Sequence, residues 1–168
     1  MKLVQNLLFV LVLLPALAAS AEEKNETYVN IRVLSAPLAA KIATVAEQHC
    51  FKKGYQVSVA VTDRYGSLLA FSRNPLAGSH TIDVSQYKAY TSATFQIPSM
   101  RTQEDMAFLQ GVPKLALFGG GIPVRVGGHM YGAIGVSGAP AKKKPGDVDE
   151  ECAQAGLDAV MGDLEFAE

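Results

Sequence analysis

The sequence predicts an α+β fold, an α/β sandwich in which a mostly antiparallel sheet is flanked by helices. Two pairs of apolar segments are each joined by a short turn sequence, a pattern typical of β-hairpins. Segments with a helical spacing of apolar residues stand before, between and after these pairs. One further short apolar segment brings the expected sheet to five strands. The predicted order of elements is therefore α-ββ-αα-βββ-α.

Residues 1–21 are expected to be a cleaved secretory signal peptide that lies outside the fold. A positive charge at Lys2 precedes an apolar run that ends at Leu14, and the tripeptide ASA stands directly before Glu22. This run is shorter than the roughly 20 residues of a permanent membrane helix. A retained anchor or a buried helix is the alternative. Cleavage would make the protein an exported one, periplasmic or extracellular.

The rest of the chain is predicted to form one domain. Residues 22–35 are polar without a clear period, which is typical of a mobile segment, and residues 36–168 suffice for one core. No second stretch has the length of a membrane helix, so we expect no membrane span. The formal net charge is −1 and the basic residues do not cluster among aromatic ones, which argues against a nucleic-acid partner.

A helix from Pro37 to about Lys53 opens this domain. Ser35 is a suitable N-cap, proline suits the first turn of a helix, and Gly54 supplies the stop. The segments "QVSVAVTD" and "SLLAFS" then follow, and the turn sequence "DRYG" joins them into a hairpin. Valines alternate with small or polar residues in the first segment, which predicts a strand.

Two helices are predicted after this hairpin. The first spans about residues 81–96, with Ser79 as a candidate cap, and it ends before Pro98. The second spans about residues 99–110 and ends at a glycine. The segment "PKLALF" that follows is short and apolar, which predicts the third strand.

The glycine-rich stretch "FGGGIPVRVGGHMYGAIGVSG" is predicted to be the second hairpin. Gly127-Gly128 stands between two apolar segments, which favours a two-residue turn with positive φ angles. The expected cross-strand pairs are Val126 with His129, Val124 with Tyr131, and Ile122 with Ala133. The glycines match neither a P-loop nor a dinucleotide fingerprint. They indicate instead a place where something approaches the backbone closely.

The last helix is predicted from Asp147 to Leu164, and its acidic start suits the helix dipole. Its apolar stripe includes Cys152, and Cys50 lies in the first helix. Export would permit a disulfide between these two cysteines, provided that their helices pack side by side. Two buried free thiols are the alternative.

The stretch "GSHTIDVSQYKAYTSATF" contains the first candidates for a functional site. His80, Lys88 and Thr91 fall on one stripe if the helix already begins at His80. An imidazole, a cation and a hydroxyl beside free backbone N–H groups suit a ligand with carboxylates and a metal centre. The alternative is an ordinary surface loop with a solvated Lys88. Neither G-x-S-x-G nor H-E-x-x-H occurs, so a hydrolase or a zinc enzyme has little support.

Four blocks of the chain resemble, in order and spacing, the GlcG/HbpS family, also called the DUF336 or haem-degrading domain family. They are "GYQVSVAVTDRYGSLLAF", "HTIDVSQYKAYTSATF", "GGGIPVRVGGHMYGAIGVSG" and "CAQAGLDAV". The resemblance covers about residues 36–162, and the family includes the C-terminal domain of PduO-type corrinoid proteins. It implies a five-stranded, somewhat profilin-like sheet and compact homo-oligomers. It also places the first and last helices on one side, which favours a Cys50–Cys152 bridge.

The resemblance further implies a haem-related function. Some members bind haem, and secreted members act as haem-binding partners of sensor systems that respond to haem and oxidative stress. We therefore expect an exported haem-binding protein with His80 as the candidate iron ligand and with Lys88 and Thr91 as supporting contacts. One alternative is an enzyme that acts on a small organic metabolite or degrades haem, and the other is an oligomeric interaction module without catalysis. The polar candidates for an enzyme are Asp63, Tyr87, Lys88 and Tyr90.

Overall fold

The computed structural model describes residues 27–166. The predicted signal peptide, residues 1–21, lies outside this part, and the predicted mobile segment is described only from residue 27. The contacts divide the chain after Asn30. Residues 27–30 are exposed and belong to no helix or strand, whereas residues 31–166 carry all the described elements. No helix among the described residues is long and apolar enough to cross a membrane.

The predicted α+β class is confirmed, because one antiparallel sheet is flanked by helices. The helices are α1 (Ala36–Lys52), α2 (His80–Phe95), α3 (Ser99–Asp105), α4 (Asp147–Asp158) and α5 (Met161–Glu165). The strands are β1 (Ser58–Asp63), β2 (Leu68–Arg73), β3 (Gly121–Val126) and β4 (His129–Ser137). They lie in the order β2-β1-β4-β3, and every neighbouring pair is antiparallel.

Helices cover both faces of the sheet. On one face, apolar side chains of α1 and α4 pack against alternate residues of β1 and β4, among them Val59, Val61 and Ile134. On the other face, α2 lies so close that its backbone touches Gly135 of β4. The candidate site residues on α2 are therefore held directly against the sheet.

The expected fifth strand, "PKLALF" at residues 113–118, is not formed, so the described residues contain four strands rather than five. Pro113 has no N–H to donate to a neighbouring strand. Lys114 has a φ of 67°, which turns the chain away from an extended path. The N–H of Ala116 donates instead to the Thr91 hydroxyl at 2.9 Å. The segment is held by α2 and not by a strand.

Two predicted helices are shorter than expected. The helix predicted over residues 99–110 ends at Asp105, and a short 3-10 helix at Ala107–Leu109 follows it. The last predicted helix is divided into α4 and α5, because Val160 has a φ of −125° that interrupts the helical path. Sequence periodicity passes over such single-residue interruptions.

The second hairpin closes at Gly127-Gly128 as predicted, and Val126 pairs with His129. Beyond Arg125, which pairs with Met130, the predicted register is wrong by one residue. Val124 pairs with Gly132 instead of Tyr131, and Ile122 pairs with Ile134 instead of Ala133. The shift lies between Arg125 and Val124, where Tyr131 is an extra residue on β4 and forms a bulge.

Two glycines of this hairpin lie where α2 packs on the sheet. A Cβ at Gly135 would lie 2.0 Å from the carbonyl oxygen of Ser85, and a Cβ at Gly121 would lie 2.4 Å from the carbonyl oxygen of Lys88. Both distances are far below a van der Waals contact, and backbone atoms cannot rotate away as a flexible side chain can. The glycines predicted that something lies close to the backbone of this hairpin, and the structure shows that it is α2.

We expect Gly135→Ala to lower the free energy of unfolding by about 1–3 kcal/mol, because the added methyl group pushes α2 away from β4. Gly162→Ala is the matched control, since a Cβ there meets no atom within 4 Å. Urea denaturation measures both variants. Equal stability of Gly135→Ala and wild type would show that α2 does not depend on this contact.

The disulfide between Cys50 and Cys152 is present and joins α1 to α4. The S–S distance is 2.04 Å and the Cα atoms are 5.6 Å apart. Both residues are fully buried within the core that the two helices share. The alternative of two free thiols is therefore excluded for this structure.

Candidate functional site

His80 is the first residue of α2, and its side chain is exposed. The imidazole ring lies over Gly78, where an added Cβ would lie 2.8 Å from the ring atom Cε1. The Thr81 hydroxyl donates to the carbonyl of Gly78 at 2.6 Å and contacts the Ser58 hydroxyl at 2.7 Å. The start of α2 is thus fixed to β1, while the imidazole of His80 itself remains accessible to solvent.

The loop before His80 is also held by side chains. Asn74 accepts the N–H of Leu76 at 3.0 Å and donates to Glu47 of α1 at 3.1 Å. The Arg73 guanidinium donates to the carbonyl of Ala77. Leu76 itself is 81% exposed, so an apolar side chain projects from the same loop as the imidazole.

Lys88 lies on α2 in the interior of the protein, with 1% of its side chain exposed. Its ammonium nitrogen is 2.7 Å from Oδ2 of Asp149 and 2.9 Å from the carbonyl oxygen of Val136. It also lies 4.8 Å from the centre of the Phe118 ring. The alternative of a solvated Lys88 is therefore wrong, and the ammonium already has its partners within the protein.

Asp149 completes a buried ion pair that connects three elements. It belongs to α4, and its second oxygen accepts the N–H of Ala139 at 2.9 Å, just after β4. Burial lowers the pKa of Lys88 and raises the pKa of Asp149, while the attraction between the two charges opposes both shifts. The pair therefore ties α2, β4 and α4 together at the end of the sheet.

Glu150 lies beside this pair and is half-buried. Its carboxylate lies near the backbone N–H of Gly120, and its Oε2 has no hydrogen-bond partner among the described residues. Burial raises the pKa of Glu150. Sequence reasoning missed both acidic residues, because an acidic start of a helix is explained by the helix dipole alone. Only the packing of α4 against the Gly119–Gly121 segment distinguishes them.

Thr91 is also buried, and its hydroxyl makes its hydrogen bonds to other groups of the protein. It donates to the carbonyl of Tyr87 at 2.7 Å and accepts the N–H of Ala116 at 2.9 Å. α2 begins at His80, as the predicted stripe required. The structure nevertheless leaves only His80 of the three candidates on the surface. Lys88 and Thr91 fix the position of α2 from inside.

The fold and these residues define a class of protein. It is a small α+β domain in which α2 packs directly against one face of an antiparallel sheet. Among its described residues, no cluster of three or more His, Cys, Asp or Glu side chains could hold a metal ion. The chain belongs to the HbpS-like family, described as haem-degrading protein HbpS-like, whose model matches residues 34–158.

Known proteins agree with this assignment. GlcG of Escherichia coli K12 is 36% identical over 110 residues, which cover 62% of this chain and 81% of GlcG. The crystal structure of a double mutant of Streptomyces reticuli HbpS is 32% identical, with a TM-score of 0.73, covering 85% of this chain and 97% of HbpS. PduOC in a haem complex has the same fold, with a TM-score of 0.66 at 22% identity over 76% of this chain and 94% of PduOC.

Proposed function

We propose that this protein binds haem and that His80 is the axial ligand of the iron. The observation that carries the proposal is the exposed imidazole at the fixed start of α2 in a chain of the HbpS-like family. Imidazole is a common axial ligand of haem iron, and haem needs no cluster of protein ligands because the porphyrin supplies the others. The absence of a three-residue metal cluster among the described residues is compatible with this kind of site.

Lys88 and Thr91 support this site as positioning residues for α2. Their polar atoms bind Asp149, Val136, Tyr87 and Ala116, so they act on His80 through the helix and not through the ligand. The imidazole is held by the same helix, whose first turn is bound to β1. A displacement of α2 would therefore move the ligand.

His80 is exposed, and one protein face on an exposed imidazole covers only one side of a porphyrin. His80 lines neither the cavity of about 410 Å³ beside Phe118 nor the one of about 240 Å³ beside Tyr90. A haem bound here needs apolar cover on its second face, and a second copy of the chain would supply it. We therefore include a homo-oligomer in the proposal. Size-exclusion chromatography with light scattering tests this part, and a strict monomer with haem bound would contradict it.

We further propose that the protein acts outside the cytoplasm. Its proposed partner there is a sensor protein. The signal-like segment at residues 1–21 and the Cys50–Cys152 bridge support this setting, since disulfides persist in oxidising compartments. Haem bound at an exposed ligand can be transferred or presented to a partner. This accessory role in haem or redox sensing rests on haem binding and falls with it.

Titration of the haem-free protein with haem tests the proposal. Wild type should give a saturable Soret shift, and His80→Ala should weaken binding by about tenfold or more. His129→Ala is the matched control, because His129 is also exposed but lies at the turn of the second hairpin. Absence of a saturable spectrum with wild type, or equal losses in both variants, would contradict the proposal.

Haem degradation is the second candidate function, and the family description favours it. Among the polar candidates, Lys88 is enclosed, whereas Tyr87 and Tyr90 border a cavity. Incubation of the haem complex with a reductant separates the two functions. A Soret band that remains stable for hours indicates binding without turnover.

A further inference from the structure

A second candidate site lies between the β1–β2 turn and the middle of α2. Tyr65 and Ser67 of the turn, Gln86, Tyr87 and Tyr90 of α2, and Lys114 line a cavity of about 240 Å³. His80 does not line this cavity, and the proposed haem binding does not use it. Its polar lining consists of one ammonium, three phenols, one hydroxyl and one carboxamide.

The hairpin turn is shaped to accept an aromatic ring of this cavity. Gly66 has a φ of +85°, and a Cβ at this position would lie 2.5 Å from Cδ2 of Tyr90. Glycine suits this position for two reasons: the turn has a positive φ here, and the Tyr90 ring occupies the space that a side chain would fill. Asp63 holds the turn in place, because its Oδ1 accepts the N–H groups of Tyr65 at 2.8 Å and Ser67 at 2.9 Å.

Lys114 lines the cavity and has a strained backbone conformation. Its φ of 67° is left-handed, which is unfavourable for a residue with a long side chain. Such strain persists where the surrounding structure fixes it, and it is frequent at ligand sites. The neighbouring N–H of Ala116 is bound by Thr91 at 2.9 Å, so the segment is anchored to α2 close to the tyrosines. The segment that carries Lys114 is thus anchored beside the cavity.

The charge that lines the cavity itself is positive. Lys114 contributes an ammonium and no carboxylate is among the described lining residues, while the Asp63 carboxylate behind the turn is occupied by the N–H groups of Tyr65 and Ser67. The guanidinium of Arg64 adds a second cation nearby, 5.7 Å from the centre of the Tyr65 ring. The hydroxyls of tyrosine and serine can donate hydrogen bonds to an oxyanion.

The size of the cavity limits the ligand. Typical pockets for drug-sized ligands have about 300–1,000 Å³, so a porphyrin is too large and a single-ring acid is suitable. The tyrosine rings offer flat apolar surfaces to such a ring.

We propose that this cavity binds a small aromatic carboxylate, with Lys114 and the phenol hydroxyls on the carboxylate and the tyrosine rings against its planar body. Benzoate is the probe, and its binding to the haem-free full chain is measured by calorimetry and saturation-transfer NMR. The uncharged benzamide should bind about tenfold more weakly than benzoate, since it lacks the charge that the ammonium attracts.

Lys114→Met should weaken benzoate binding by about tenfold while leaving the backbone strain in place. Lys52→Met, at an exposed position of α1, is the matched control and should leave binding unchanged. Tyr87→Phe keeps the ring, removes one hydroxyl, and should weaken benzoate several-fold. His80→Ala should have no effect, so failure of this site and failure of the haem site are distinguishable.

Three results would overturn the proposal. They are unchanged benzoate affinity in both Lys114→Met and Tyr87→Phe, equal binding of benzamide and benzoate, and displacement of benzoate by inorganic phosphate at equal concentration. The last result would mean that the cavity recognises an anion without regard to the aromatic body. Thermal melts of each variant confirm that any lost affinity is not lost folding.

Discussion

Asp149→Ala is expected to lower the free energy of unfolding by about 3–5 kcal/mol, because it leaves the buried ammonium of Lys88 without its counter-charge. The substitution also removes the acceptor for the N–H of Ala139. Burial already disfavours the charged form of Lys88, so water or a shift in protonation must compensate for the lost carboxylate. Urea denaturation at neutral pH measures the loss.

Two comparisons separate this effect from a general loss of packing. Replacement of both partners, Lys88→Met with Asp149→Leu, should recover most of the stability, since no charge then remains buried. Asp163→Ala breaks the exposed pair with Lys41, whose side chains are 51% and 48% exposed, and should lose less than about 1 kcal/mol. A double variant as unstable as Asp149→Ala would show that the charges themselves are not the cause.

Replacement of both cysteines, Cys50→Ala with Cys152→Ala, is expected to lower the free energy of unfolding by about 2–5 kcal/mol. The cysteines are 102 positions apart, so the bond restricts a long loop of the unfolded chain. The measurement is urea denaturation with and without reductant. Reductant should destabilise wild type and leave the double variant unchanged.

Slow reduction of the folded protein is part of the same expectation. Both cysteines are fully buried, so reductant reaches the bond only when α1 and α4 separate. Full reduction should therefore require denaturant. A wild-type protein that loses the bridge rapidly under native conditions, or a double variant as stable as wild type, would be contrary to this account.

The hairpins were predictable because their signals are local. Alternating valines and a turn sequence specify β1 and β2, and Gly127-Gly128 specifies the second turn. The bulge at Tyr131 was not predictable, since it depends on how β4 pairs with both of its neighbours. The false strand at residues 113–118 has a similar cause, because a short apolar run does not reveal whether a free strand edge is available.

The candidate site was predictable only in part. The predicted start of this helix near residue 81 is one residue from its start at His80, but the predicted cap is wrong, because the Ser79 side chain makes no capping hydrogen bond. The burial of Lys88 was not predictable, because its partner Asp149 is 61 positions away and belongs to another helix. Lys114 gave no signal at all within its apolar segment. Its left-handed backbone lies two residues before Ala116, whose N–H is bound to Thr91 of α2, and only the folded structure shows this contact.

The Cys50–Cys152 bond also changes what a break in the backbone does. All four described strands lie between the two cysteines, and so do exposed segments such as residues 110–114 and 140–145, the kind of place that proteases cut. Hydrolysis of one peptide bond in this stretch leaves both pieces joined through sulfur. The molecule then remains a single covalent unit that retains its whole sheet. In an extracellular setting, a cut that would split an unbridged chain in two would here leave only a nick.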